Sequence, residues 1–286
     1  MAGSATRIIR KQDLETLTDL PSAPKVVIEI WRVLSDEGAS VRALSDVVEQ
    51  DPALSAKILR LTNSAYFGLP RPVEDVRTAC VVLGFSTVES LAVGVTALEA
   101  LSRSVSRAFS LDDFWRHSVA TAIAAESLAK NCGLAKGGTA FCAGILHDVG
   151  KLVLATIDAP RYRAVLEMGG NQCVHEEGEY GVHHGVVGGW LAERWGFPDD
   201  LAEAVRGHHE PHGEAGGKWA SLIHVADRMA SACGWSAPGR SAAEFPAADT
   251  CPDLLPWSDV ALAAARRELE DQRGRVGAFL SAARSA

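Results

Sequence analysis

Apolar side chains recur at three- and four-residue spacing along nearly the whole of this 286-residue chain, and no stretch alternates in the manner of a half-buried strand. A helix buries a stripe and a strand buries alternate residues, so this periodicity confines the fold to the all-α class. Hydrophobic residues make up 47% of the chain and charged residues 22%, enough to fill a sizeable core, which argues against disorder.

Local signals place the helices. Asp51-Pro52 has the form of an N-cap followed by proline at the first helical position, with Leu54, Ile58, Leu61 and Ala65 behind it and a stop expected near Phe67-Gly68. Val27, Ile30, Trp31 and Leu34 form one stripe upstream, and Leu44, Val47 and Val48 another. Downstream, Ala79 to Leu83 and Val88 to Leu98 flank a break at Gly84-Phe85, making a bundle of five or six short helices. A second block starts near Asp112-Asp113, expected to cap a helix carrying Phe114, His117, Thr121, Ala124 and Leu128. Further helices are expected at Thr139 to Val149, Val186 to Trp195, Asp199 to His209 and Trp219 to Ala232. Gly234 to Pro256, rich in Pro, Gly, Ala and Ser, reads as a loop before a last helix from Ser258, with Gly274 a possible interruption. The organisation expected is an N-terminal bundle over 13–108, a second helical domain over 109–233, and a loop with a C-terminal helix over 234–286.

Several classes are disfavoured. With 28 Lys+Arg against 36 Asp+Glu the formal net charge is −8, and the basic residues form no stripe, so nucleic acid is not an expected partner. None of the six cysteines stands at C-x-x-C spacing, which suits free thiols in a reducing cytosol. The N-terminus lacks an apolar signal core, and the greasiest stretch, Ser90 to Leu101, is shorter than a membrane span, so a cytoplasmic location without a membrane partner is expected.

The chemistry concentrates in imidazoles and carboxylates on apolar helix faces. His117 lies in line with Phe114 and Thr121; alone it would read as a hydrogen-bonded core residue. His147-Asp148 follows Ile145-Leu146, His184 shares a face with Val187 and Leu191, His208-His209 continues the stripe of Leu201 and Val205, and Asp227 lies between Ile223 and Ala230. Five segments thus send nitrogen or oxygen donors inward. The alternative is a set of unrelated hydrogen-bonded residues. Desolvating seven such groups without a common partner would strain a fold stabilised by only about 5–15 kcal/mol, whereas a shared divalent cation explains them together. Imidazole and carboxylate without thiolate suit iron, manganese, zinc or nickel, and seven donors exceed one coordination shell, which admits one or two ions. His175, His183, His212 and His224 have no clear inward periodicity.

The order His117, His147-Asp148, His184, His208-His209, Asp227 resembles the HD superfamily of metal-dependent phosphohydrolases, and Gly144-Ile145-Leu146-His147-Asp148-Val149-Gly150-Lys151 is similar to its central motif. Leu20-Pro21 with Pro24, Asp51-Pro52-Ala53-Leu54-Ser55, Asn63-Ser64, Leu83-Gly84 and Trp195 with Pro198 resemble the HDOD family, the HD-related output domain of bacterial signalling proteins, over roughly Leu14 to Ala230. The resemblance implies an N-terminal helical bundle packed on an HD-type helical domain. It also implies one metal on His117, His147, Asp148 and Asp227, with a second position from His184, His208 and His209. Lys151 would suit a phosphate oxygen in a catalytic site, a surface lysine being the alternative, and Glu179 or Glu210 would orient a ligand, solvated glutamates being the alternative. After His209 the chain reads Glu210-Pro211-His212-Gly213, a departure from the signature that accompanies cyclic dinucleotide hydrolysis in the related HD-GYP group. Two functions follow as expectations: an output module that couples metal or nucleotide-like ligand state to a signalling protein partner, and a metal-dependent phosphohydrolase or phosphodiesterase. A scaffold without metal is a third.

Overall fold

Asp51 caps a helix as its sequence requires, its carboxylate accepting the N–H groups of Ala53 and Leu54, both at 3.0 Å, with Pro52 behind it. The computed structural model describes residues 7–16, 20–34, 40–102, 110–134, 137–214, 216–239, 246, 255 and 258–284; all described regular structure is helical. The N-terminal part comprises α1 (Lys11–Thr16), α2 (Lys25–Leu34), α3 (Val41–Glu49), α4 (Pro52–Thr62), α5 (Val76–Leu83) and α6 (Phe85–Ser102). Then come α7 (Leu111–Asn131), α8 (Gly137–Leu146), α9 (Val149–Ile157), α10 (Ala159–Glu167), α11 (Gln172–Tyr180), α12 (His184–Arg194), α13 (Asp199–Gly207) and α14 (Lys218–Ala232). The chain ends with α15 (Asp259–Asp271) and α16 (Arg273–Arg284).

Several boundaries differ from expectation. α4 stops at Thr62, and Asn63 closes the following turn by exchanging 2.7 Å side-chain hydrogen bonds with the Val73 backbone. Ser110 rather than Asp112 or Asp113 caps α7; the two acids occupy its first turn, where they complement the helix dipole. The stretch from Thr139 is broken at His147-Asp148, where Asp148 takes φ −93° and ψ 7°, between α8 and α9. α13 ends before His208 and His209, and the last two helices part at Gln272, leaving Gly274 inside α16. Most of the expected loop from Gly234 to Pro256 lies outside the described residues, as do 103–109.

α10 and α11 carry no helical stripe in the sequence analysis. For α11 the buried face explains this: it consists of Gln172, Glu176 and Tyr180, a run at four-residue spacing that is polar rather than apolar, while α10 buries only Tyr162 and Val165.

One apolar core runs from Ile9 to Ala283. α6 packs on α8, α7 on α8 and α14, and α9 on α12, while α16 rests on both α4 and α7. Trp31 of α2 meets Phe197 edge-on at 5.7 Å, tying the N-terminal helices to the turn before α13. Among the described residues Thr139–Ile157 has the length and mean hydropathy of a membrane span, but 89% of it is buried inside the protein; α5 and α6, which include Ser90 to Leu101, meet both criteria only together, across a 118° bend.

Candidate metal centre

Two glycines let the helices that carry the polar cluster touch. A Cβ on Gly144 would stand 2.4 Å from the Cα of Ala122, so α8 can lie against the backbone of α7. A Cβ on Gly150 would stand 1.9 Å from the carbonyl oxygen of His184, so α9 presses directly on the start of α12. These two contacts bring His117, His147, Asp148 and His184 to one point.

All seven residues singled out from the sequence converge there, and His117, His147, Asp148, His184, His208 and Asp227 are buried. Asp148 is central. Its Oδ2 lies 3.5 Å from His147 Nε2 and 3.6 Å from His117 Nε2, while its Oδ1 lies 3.0 Å from His184 Nε2 and 3.7 Å from His208 Nε2. Asp227 approaches His117 Nε2 at 3.2 Å, and His209 Nε2 stands 2.8 Å from His184 Nε2. Two donor groups therefore share Asp148: His117 and His147 on one side, His184, His208 and His209 on the other.

The imidazoles are held from behind. Nδ1 of His117 faces the Trp235 carbonyl at 2.6 Å, Nδ1 of His147 that of Gly144 at 2.8 Å, and Nδ1 of His208 that of Val205 at 2.8 Å. A carbonyl oxygen can only accept a hydrogen bond, so each Nδ1 carries the N–H that donates to it, which turns the Nε2 lone pair inward. His117 and His147 then oppose two lone pairs at 3.1 Å, and His208 Nε2 is buried without a hydrogen bond. Opposed lone pairs and an unsatisfied buried acceptor are unfavourable in the absence of a positive charge, so the donor set fits a divalent cation.

Electrostatics favour the same arrangement. Burial pushes the His147 imidazole down to about 3, keeping it neutral. Burial alone would raise Asp148, but Lys151 and then His147 outweigh it and hold the carboxyl well below its ordinary range. Lys151 is buried rather than on the surface, with its Nζ 2.7 Å from Asp148 Oδ2. Burial opposes charge on His184, yet Glu176 followed by the Asp148 hydrogen bond raises it above its ordinary value.

Glu176 escaped the sequence analysis, which pointed to Glu179 and Glu210. It accepts from the His184 backbone N–H at 2.8 Å and faces His184 Nδ1 at 2.6 Å, while its other oxygen accepts from Tyr162 Oη at 2.9 Å. Gln172 donates to the same phenol at 3.1 Å. Glu179 instead lies 3.6 Å from Arg161, and Glu210 is exposed. The missed signal was the four-residue run of Gln172, Glu176 and Tyr180. His183, also set aside in the sequence, is buried, and its Nδ1 caps α12 by accepting from the Gly185 N–H at 3.1 Å.

A cavity of about 200 Å³ reaches the cluster between Gly170–Cys173 and the rings of His184 and His209. Cys173 lies on its wall, with Glu176 and His184 close enough for all three donor atoms to fall within 4.8 Å of one another.

Residues 20–211 match the HDOD domain family. An uncharacterized protein of Treponema pallidum (strain Nichols) is 26% identical over 208 residues, 69% of this chain and 39% of that protein, so the chain spans well under half the length of this relative. A crystal structure from Shewanella amazonensis SB2B, of a protein provisionally named a phosphohydrolase, is 26% identical with a TM-score of 0.74, covering 94% of this chain and 97% of the other. A provisionally named signal transduction protein of Marinobacter aquaeolei VT8 is 26% identical with a TM-score of 0.76, covering 99% and 62%. An HDOD domain protein of unknown function from Geobacter sulfurreducens shares the fold at 20% identity, with a TM-score of 0.73 over 96% of each chain.

Proposed function

This chain belongs to the HDOD family, and from that membership we propose that it is a signalling module built on a two-position divalent-metal centre. His117, His147, Asp148 and Asp227 would hold one ion, and His184, His208 and His209 would hold the other together with Asp148. The observation that carries this reading is the Asp148 carboxylate, which turns Oδ2 to His117 and His147 and Oδ1 to His184 and His208. Nitrogen and oxygen donors favour iron, manganese, zinc or nickel. A bound ion would supply Lewis acidity toward an anionic ligand.

The protein's own groups set the geometry. Lys151 keeps Asp148 ionised and fixed; Glu176, itself held by Tyr162, orients His184; the carbonyls of Gly144, Val205 and Trp235 orient the other rings. In this reading the module couples metal or nucleotide-like ligand state to a signalling protein partner. Elemental analysis of the purified chain tests the centre: two equivalents of a transition metal, lost in Asp148→Asn, support it, and a metal-free protein from metal-replete cells refutes it.

A second reading, phosphohydrolase activity, draws support from the cavity whose wall includes His184 and His209. A screen of phosphomonoesters, nucleotides and cyclic dinucleotides, with Asp148→Ala as control, separates the two. Turnover abolished in the variant establishes the enzyme; metal without turnover leaves the module.

A further inference from the structure

The C-terminal end of α14 serves the His117 side of the cluster twice. Asp227 lies within α14, and just beyond the helix Trp235 turns its backbone carbonyl to His117 Nδ1 at 2.6 Å. Gly234, with φ 86°, reverses the chain between them, and the Trp235 N–H reaches back to the Ala230 carbonyl at 2.9 Å. From outside, Arg273 of α16 grips the same turn. Its guanidinium donates to the Cys233 carbonyl and stands 5.3 Å from the centroid of the Trp235 ring. The end of a helix favours a cation, which adds to the hold.

Arg273 is exposed, so burial does not fix it there. Its place is set by the helices around it. α15 packs along α7, the helix that carries His117, while α16 rests on both α4 and α7, and Phe279 of α16 meets Tyr66 edge-on at 5.3 Å. The α15–α16 hairpin therefore runs from the N-terminal helices to the turn behind His117. The imidazoles of the other position are oriented from different elements, His184 by Glu176 of α11 and His208 by the Val205 carbonyl of α13.

We propose that Arg273 is a positioning residue for His117 and that, through it, the α15–α16 hairpin sets and senses occupancy of the first metal position. The inference rests on the two-position metal reading and adds to it the element that governs one position alone. When Arg273 lets go, the turn relaxes, the Trp235 carbonyl leaves Nδ1, and His117 no longer presents Nε2 to an ion.

Competition with a chromogenic chelator, using zinc, tests the selectivity. In Arg273→Ala one of the two equivalents should loosen by about tenfold and the other should not change. In an Asp227→Asn background, where the first equivalent is already missing, Arg273→Ala should have no further effect. General destabilisation would instead loosen both positions in both backgrounds. Arg267→Ala, at an exposed site on α15, should match the wild type. A second readout needs no metal. In EDTA-treated protein the buried His117 Nδ1 proton, followed by NMR, should exchange with water about tenfold faster in Arg273→Ala than in the wild type. Wild-type protein that binds no zinc refutes the metal reading while this comparison still decides whether Arg273 positions His117. Coupling is reciprocal, so zinc should slow amide exchange in α16 of the wild type but not of Arg273→Ala. Equal Nδ1 exchange in the two proteins, loosening of both equivalents, or a zinc effect on α16 that survives Arg273→Ala would each overturn the assignment.

Discussion

Gly150 lies so close to His184 that a Cβ built on it would sit 1.9 Å from the His184 carbonyl oxygen, which makes the glycine two residues after Asp148 the point where α9 and α12 meet. Gly150→Ala should therefore separate the helices. The expected loss is about 1–3 kcal/mol or more, as for other overpacked interiors. Urea unfolding checks it, with Gly178→Ala, which adds a Cβ into open space on α11, as a control that should be neutral or slightly stabilising.

The shared carboxylate predicts unequal metal losses. Asp148→Asn should empty both positions, whereas Asp227→Asn, which removes a carboxylate 3.2 Å from His117 Nε2, should leave one equivalent. Elemental analysis decides between these outcomes and a centre in which the two acids are equivalent.

Glu176 acts on the cluster through His184. Glu176→Gln should lower metal affinity by about 10–100-fold, the usual effect of removing a group that orients a ligand. Tyr162→Phe removes one hydrogen bond to the same carboxylate and should have the same direction with smaller size. Competition with a chromogenic chelator measures both.

Metal uptake should release protons. The His184 imidazole is held above its ordinary value, so as pH falls a proton occupies the nitrogen that an ion requires, and apparent affinity falls with it. Calorimetric enthalpies measured in buffers of different ionisation heat count the protons. An unchanged enthalpy across buffers would contradict this coupling.

Glu89 provides a stability switch away from the cluster. Burial raises its carboxyl from 4.5 to about 7, so between those values the folded chain keeps a proton that the unfolded chain has released. Stability should thus decline as pH rises through this window and level off above it. Glu89→Gln should gain about 1–3 kcal/mol at pH 8 and little at pH 4, as read from urea unfolding at the two pH values.

How far the sequence could be read depended on what each helix buries. α4, α7 and α14 bury aliphatic stripes, so their period shows directly, and His117 and Asp227 stand out as polar residues within them. α11 buries Gln172, Glu176 and Tyr180, so its period is invisible to a search for apolar residues, and Glu176 was passed over for the nearby Glu179. The burial of Lys151 was hidden for a related reason. A lysine one turn beyond an acid reads equally well as a surface residue or a phosphate contact until the burial of both is known.

The residue types and their helical phase determined the all-α class and the set of inward donors, because phase is a local property of the chain. Which donors share Asp148 and which carboxylate stands behind His184 were decided only by the approach of helices distant in sequence. Those approaches depend on backbone contacts at Gly144 and Gly150, and the closeness of two backbones is set by both partners at once, which no single stretch of sequence specifies.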